Sequence, residues 1–187
     1  MKASCDRISE GLKCLKIHGK CLSSVARRSL NSYSGARSKH SKKLCTNLND
    51  AKSIEFWKSA ECIRTANKMA QMVAFERELI STIQTLAANS AMKWDERFHQ
   101  ACCAASNYKV KVLKGSEPEC GKFKVTTEEM LDSMVGELLE SACPEQNRLK
   151  DICSKLSKLT LDKEWKAVSL TGAALDLIVA LADNPKN

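Results

Sequence analysis

Residues 91–112 read AMKWDERFHQACCAASNYKVKV, and the architecture follows from how that run folds. Ala91, Trp94, Phe98, Ala101, Ala105, Tyr108 and Val112 recur at alternating steps of three and four, the spacing that stacks side chains on one helical face. Cys102 and Cys103 are adjacent within it, and at 3.6 residues per turn their side chains diverge by about 100°. Each sulfur is therefore expected to bond a different neighbour, clamping one helix to two others.

Working outward, the same period recurs. Met69, Met72, Phe75, Leu79, Ile83 and Leu86 form one stripe. Met130, Leu131, Met134, Val135, Leu138 and Leu139 form another, opened by a capping box of Thr126 and Glu129. Pro144 stops that helix and lets a second begin, carrying Leu149, Ile152, Leu156 and Leu159. Leu161, Trp165, Val168, Gly172, Leu175 and Ile178 then run nearly to the end. Upstream, helices are predicted near 4–17, 20–33, 37–47 and 52–68, with Gly19 and Gly35 as breaks. Residues 114–125, with Gly115, Pro118 and Gly121, form the one stretch predicted to be irregular, tethered by Cys120. Nothing alternates with a strand period. The fold class is all-α, a disulfide-stapled multi-helix bundle. Residues 1–153 are read as a cysteine-rich helical domain with a basic N-terminal part (1–52). Residues 154–187 are read as a Cys-free C-terminal helix packing on that bundle.

Ten cysteines among 187 residues decide the compartment: Cys5, Cys14, Cys21, Cys45, Cys62, Cys102, Cys103, Cys120, Cys143 and Cys153. The number is even, no Cys-x-x-Cys occurs, and His18, His40 and His99 lack ligand spacing, so zinc sites and redox motifs have little support. Paired disulfides in an oxidising environment are expected, five if all ten engage. No apolar run is long enough to span a bilayer, and no signal-peptide core opens the chain. The expectation is a secreted protein whose leader has been removed, with Met1 an added start. It has no Asn-x-Ser/Thr sequon and so should carry no N-glycans.

The net charge of +8 is concentrated at one end: residues 1–52 hold twelve Lys/Arg against Asp6, Glu10 and Asp50, a net +9. Within them, Arg37-Ser-Lys39-His40-Ser-Lys42-Lys43, with Arg27 and Arg28 upstream, could array cations on one helical face. Arg27, Arg28, Arg37, Lys39, His40, Lys42 and Lys43 are the candidate anion-binding residues, set against the plainer account of a solvated helix face. The partner would be an anionic polymer, an acidic protein or an anionic membrane surface. No aromatics interleave the cluster, which argues against sequence-specific nucleic-acid reading. The methionines leave open a small apolar ligand carried within the bundle, although core filling accounts for them as well. A venom or defence toxin is a third possibility. No nucleophile elbow, P-loop or dinucleotide fingerprint is present, and no cofactor or catalytic residue is implied. A vicinal Cys pair on a helix also occurs in secreted phospholipases A2. There a His-Asp pair follows the cysteines, whereas here Ala104-Ala105-Ser106-Asn107-Tyr108 follow and no Gly-rich calcium loop precedes.

The order Cys5…Cys14…Cys21…Cys45…Cys62, then ACCAASNY (101–108), ECGKF (119–123) and TEEMLDSMVGELLESACP (127–144), resembles the secreted cysteine-rich helical domains of unknown function from arthropods and nematodes. These include relatives of insect haemolymph glycoproteins and salivary or venom components. The resemblance covers about residues 5–153 and implies a helical fold and secretion, but no activity. The chain departs from it in having no Cys near Val110-Lys111-Val112 and none between Cys62 and Cys102, which keeps the count even, as loss of one whole disulfide would.

Overall fold

The computed structural model describes residues 1–133, 143–144, 146–161 and 169–183, and every α-helix or 3-10 turn below lies among them. Helix α1 spans Lys2–His18 and passes through a 3-10 turn, Gly19–Cys21, into α2, Ser24–Thr46. Then come α3 (Ala51–Thr65), α4 (Met69–Ala88) and α5 (Trp94–Cys120). A 3-10 turn at Gly121–Phe123 leads to α6 (Lys124–Leu131), and α7 (Gln146–Lys155) and α8 (Leu170–Asp183) complete the series. The chain is a disulfide-stapled all-α protein. It divides into two compact units: residues 1–72 with 112–137, and residues 73–111 with 138–187.

In the first unit α1 packs along α2, α2 on α3, and α3 on α6. Ala26, Leu30 and Ser34, four residues apart, are the buried stripe of α2. The chain leaves α3 through Asn67, whose φ of 56° lies in the left-handed region. The amide of Lys68 reaches the carbonyl of Ile63 and that of Asn67 reaches Arg64, the paired bonds of a Schellman C-cap. In the second unit Leu79, Ile80, Ile83 and Leu86 of α4 are buried, as are Ala105 and Tyr108 of α5 and Ala173 and Leu177 of α8. Cys102, Cys103 and Leu149 form a buried cluster, with Phe98 and Leu156 against it.

Four disulfides close the structure, two in each unit. Cys5–Cys45 ties the start of α1 to the end of α2, and Cys62–Cys120 ties the ends of α3 and α5. Cys102 bonds Cys143 while Cys103 bonds Cys153 on α7, the divergence expected of adjacent helical cysteines. The expectation of a fifth bridge is corrected, because Cys14 and Cys21 are free thiols. Seven helical residues separate their α-carbons by about 10 Å, past the roughly 7 Å limit for a bridge.

Three local expectations also give way to tertiary context. Gly35 does not break α2, which runs through it. The roughly 1 kcal/mol cost of a mid-helix glycine is outweighed by the buried stripe and the bridge at Cys45. Residues 114–120 are helical rather than irregular, with Pro118 inside the last turns of α5. That turn is anchored by Cys62–Cys120, by Lys68–Glu119 at 3.0 Å and by Lys124–Glu117 at 3.0 Å. Thr126 does not cap a helix: α6 begins two residues earlier, and the Thr126 hydroxyl donates to Glu55 of α3 at 2.8 Å. The expected residues Met134 to Leu139, Trp165 and Val168 lie outside the described residues.

Candidate functional site

Helix α2 carries the seven candidate cations, and its geometry sorts them into three roles. Arg28, Lys39, Lys42 and Lys43 are exposed. At 100° per residue they fall within one outer arc of the helix, opposite Ala26 and Leu30, with Lys39 and Lys43 one turn apart. Among the described residues no carboxylate pairs with any of the four. Arg27 does something else. Its Nε donates to the carbonyl of Gly19 at 3.1 Å, and its Nη2 donates to those of Lys20 at 2.9 Å and Leu22 at 3.0 Å. One guanidinium thus satisfies three carbonyls of the α1–α2 turn, groups that a helix end otherwise leaves open. Arg37 and His40 are half-buried toward the inner side, and the His40 ring meets Phe56 edge-on at 6.3 Å. Four of the seven are brought together on an open face, and three are not.

The second unit holds a half-open cleft of about 490 Å³. Phe75, Leu79 and Thr82 of α4 line it together with Gln100, Asn107 and Tyr108 of α5 and with Leu159 and Leu161. The Cys103–Cys153 bridge holds α7 on α5, and Gln100 Nε2 donates to the carbonyl of Ser157 at 2.8 Å, which fixes the 157–161 strip beside the cleft. At the rim Lys111 Nζ pairs with Glu78 at 2.6 Å. Tyr108 is 8% exposed, and burial, reinforced by the negative charge of Glu76, pushes its hydroxyl up to about 12.

Two features were not read from the sequence. Arg97, one residue from the Phe98 stripe, is 1% exposed, and among the described residues neither its Nε nor its Nη2 has a hydrogen-bond partner. Charge at a stripe edge reads as solvated, so no sequence signal pointed to it. The cleft rim pairs Glu78 with Lys111 across thirty-three residues, a juxtaposition without a local signature. Among the described residues no three His, Cys, Asp or Glu side chains gather closely enough to hold a metal ion, and no helix is long and apolar enough to cross a membrane.

Comparison of the chain with protein-family models, with curated proteins and with solved structures finds no match in any of the three.

Proposed function

We propose that this chain is a secreted, disulfide-stapled helical protein of the arthropod and nematode cysteine-rich kind, which binds an anionic polymer through the outer face of α2 without catalysing a reaction. One observation carries the reading: Arg28, Lys39, Lys42 and Lys43 stand exposed on a single arc with no carboxylate paired to them among the described residues. From Arg28 to Lys43 the arc extends about 22 Å at 1.5 Å per residue, a linear row suited to a repeating sulfate or phosphate chain. Four disulfides are compatible with an extracellular setting, because they persist under oxidising conditions. Binding of this kind releases counterions and weakens steeply with salt.

The test is salt elution from immobilised heparin. Wild type should elute well after a Lys39→Glu/Lys42→Glu/Lys43→Glu variant, and identical profiles would reject the site. An acidic protein or an anionic membrane is favoured instead if wild type passes through heparin but is retained by an acidic-peptide column or by phosphatidylserine vesicles.

The cleft of the second unit supports a second reading, a small amphipathic ligand. Its volume falls within the range of small-molecule sites, roughly 300–1,000 Å³, and its lining combines apolar Phe75, Leu79 and Leu159 with polar Gln100 and Asn107. Native mass spectrometry of protein from its natural source should then show a bound molecule that a Leu79→Trp variant cannot hold. Bare protein in both forms would end this reading.

A further inference from the structure

Between Arg28 and Lys43 the outer arc of α2 holds three further exposed residues, Asn31, Ser32 and Gly35. At 100° per residue they and the four cations fall within about 120° of one another. Helix α2 contains no Asp or Glu, and between Arg28 and Lys43 this arc carries no apolar or aromatic side chain. Charge stands at the two ends, Arg28 at one and Lys39, Lys42 and Lys43 at the other. An uncharged strip of amide, hydroxyl and bare backbone separates them, Arg28 and Lys39 lying about 16 Å apart at 1.5 Å per residue.

Gly35 is the member of this strip that the fold does not ask for. Glycine weakens a helix interior more than any residue but proline. Its φ is not positive, and a Cβ placed there would meet nothing within 4 Å among the described residues. Neither backbone conformation nor internal packing therefore requires it. What the missing side chain does supply is room for the backbone of a bound chain to lie close to the helix.

We infer, resting on the anion-binding role proposed for α2, that the polymer is a sulfated polysaccharide lying along this arc. Its sulfates meet Arg28 at one end and the three lysines at the other, its sugar hydroxyls meet Asn31 and Ser32, and its chain comes closest at Gly35. Sulfated sugars alternate anionic groups with hydroxyls, and amide and hydroxyl side chains both donate to and accept from those hydroxyls. Other anionic partners lack their usual anchor here. A helix that binds membranes inserts apolar side chains, protein interfaces centre on aromatic residues, and single-stranded nucleic acid stacks on aromatic rings. The arc between Arg28 and Lys43 offers none of these.

The experiment titrates the full chain with heparin and with inorganic polyphosphate at one fixed salt concentration. Asn31→Ala combined with Ser32→Ala removes hydrogen-bonding groups and no charge. It should weaken heparin binding about three- to tenfold, as loss of one or two hydrogen bonds would, and leave polyphosphate binding unmoved. Gly35→Leu should weaken heparin binding by a similar factor while melting at a higher temperature than wild type, because leucine is the better helix former. A glycine with no binding role would move the melting temperature alone. If the Asn31/Ser32 variant binds heparin like wild type, or loses both polymers equally, the polysaccharide is overturned and the basic arc still stands. Unchanged heparin binding by Gly35→Leu overturns the seating, and retention of wild type by phosphatidylserine vesicles but not by heparin overturns the ligand class. A wild type that binds neither polymer nor vesicles ends the anion-binding role of α2 itself.

Discussion

The hydroxyls of Ser59 on α3 and Thr127 on α6 meet at 3.0 Å, sixty-eight residues apart in sequence, and both side chains are sealed from solvent. Beside them the Thr126 hydroxyl donates to Glu55. Consecutive threonines of one short helix are thus used to dock it on α3. Removing one member of a buried pair strands the other, whereas removing both leaves nothing unsatisfied. Thr127→Val should therefore cost about 1–3 kcal/mol, and Ser59→Ala combined with Thr127→Val should cost less than the two single changes together. Urea unfolding of the four proteins measures this coupling, and strict additivity would show that the hydroxyls do not interact.

Arg27 and Arg28 are neighbours with separable roles. Arg27 fastens the α1–α2 turn through three carbonyls, while Arg28 points outward on the proposed binding arc. Arg27→Lys keeps the charge but loses the fork, so it should lower stability by about 1 kcal/mol and leave heparin elution unmoved. Arg28→Ala should do the reverse, eluting at lower salt with an unchanged melting temperature. If both variants shift both readouts alike, the division between a structural and a binding arginine is wrong.

Arg97 is buried, and among the described residues two of its guanidinium nitrogens have no hydrogen-bond partner. A buried donor without an acceptor opposes folding by its desolvation cost. An apolar side chain of similar length should relieve that cost, so Arg97→Met is expected to raise stability by roughly 1–3 kcal/mol. Thermal and denaturant unfolding would both report it, and a destabilised variant would mean that the guanidinium has a counter-charge in the folded protein.

Tyr108 makes stability depend on alkaline pH. Its hydroxyl is held at about 12, against 10.0 for an unperturbed tyrosine, first by burial and then by Glu76. Between those values the folded chain keeps a proton that the unfolded chain has released, so stability falls as pH rises through the window. Below pH 10 the contribution is complete. The full effect is of order 2–3 kcal/mol at 1.36 kcal/mol per pH unit. Tyr108→Phe should flatten this part of the stability profile, as measured by rapid denaturant unfolding across the window. Parallel profiles for the two proteins would exclude Tyr108 as the source.

Helical periodicity made the buried stripe of Ala105, Tyr108 and Val112 and the divergence of Cys102 and Cys103 legible in advance, because both depend on residues within a turn or two of one another. Trp94, at the start of the expected stripe, is instead 38% exposed, and Arg97 beside it is buried. The basic character of residues 1–52 was equally plain from composition. The division of labour within it was not: whether Arg27 grips a turn or Arg37 leans inward depends on which neighbours the fold brings alongside. Gly35 and Pro118 were read as interruptions on sound local grounds, and both lie inside helices.

By itself, then, the sequence determined the helical class and the concentration of positive charge, since these are properties of short windows and of sums. Only the tertiary structure decided which cysteines pair, where helices continue across unfavourable residues, which cations reach solvent and where a cleft opens. The reason is energetic. Local preferences are worth about 1 kcal/mol for glycine and about 3 kcal/mol for proline. A buried stripe, an ion pair and a disulfide contributed by residues forty or more positions away together outweigh them, and such long-range partners have no signature in any short window of sequence.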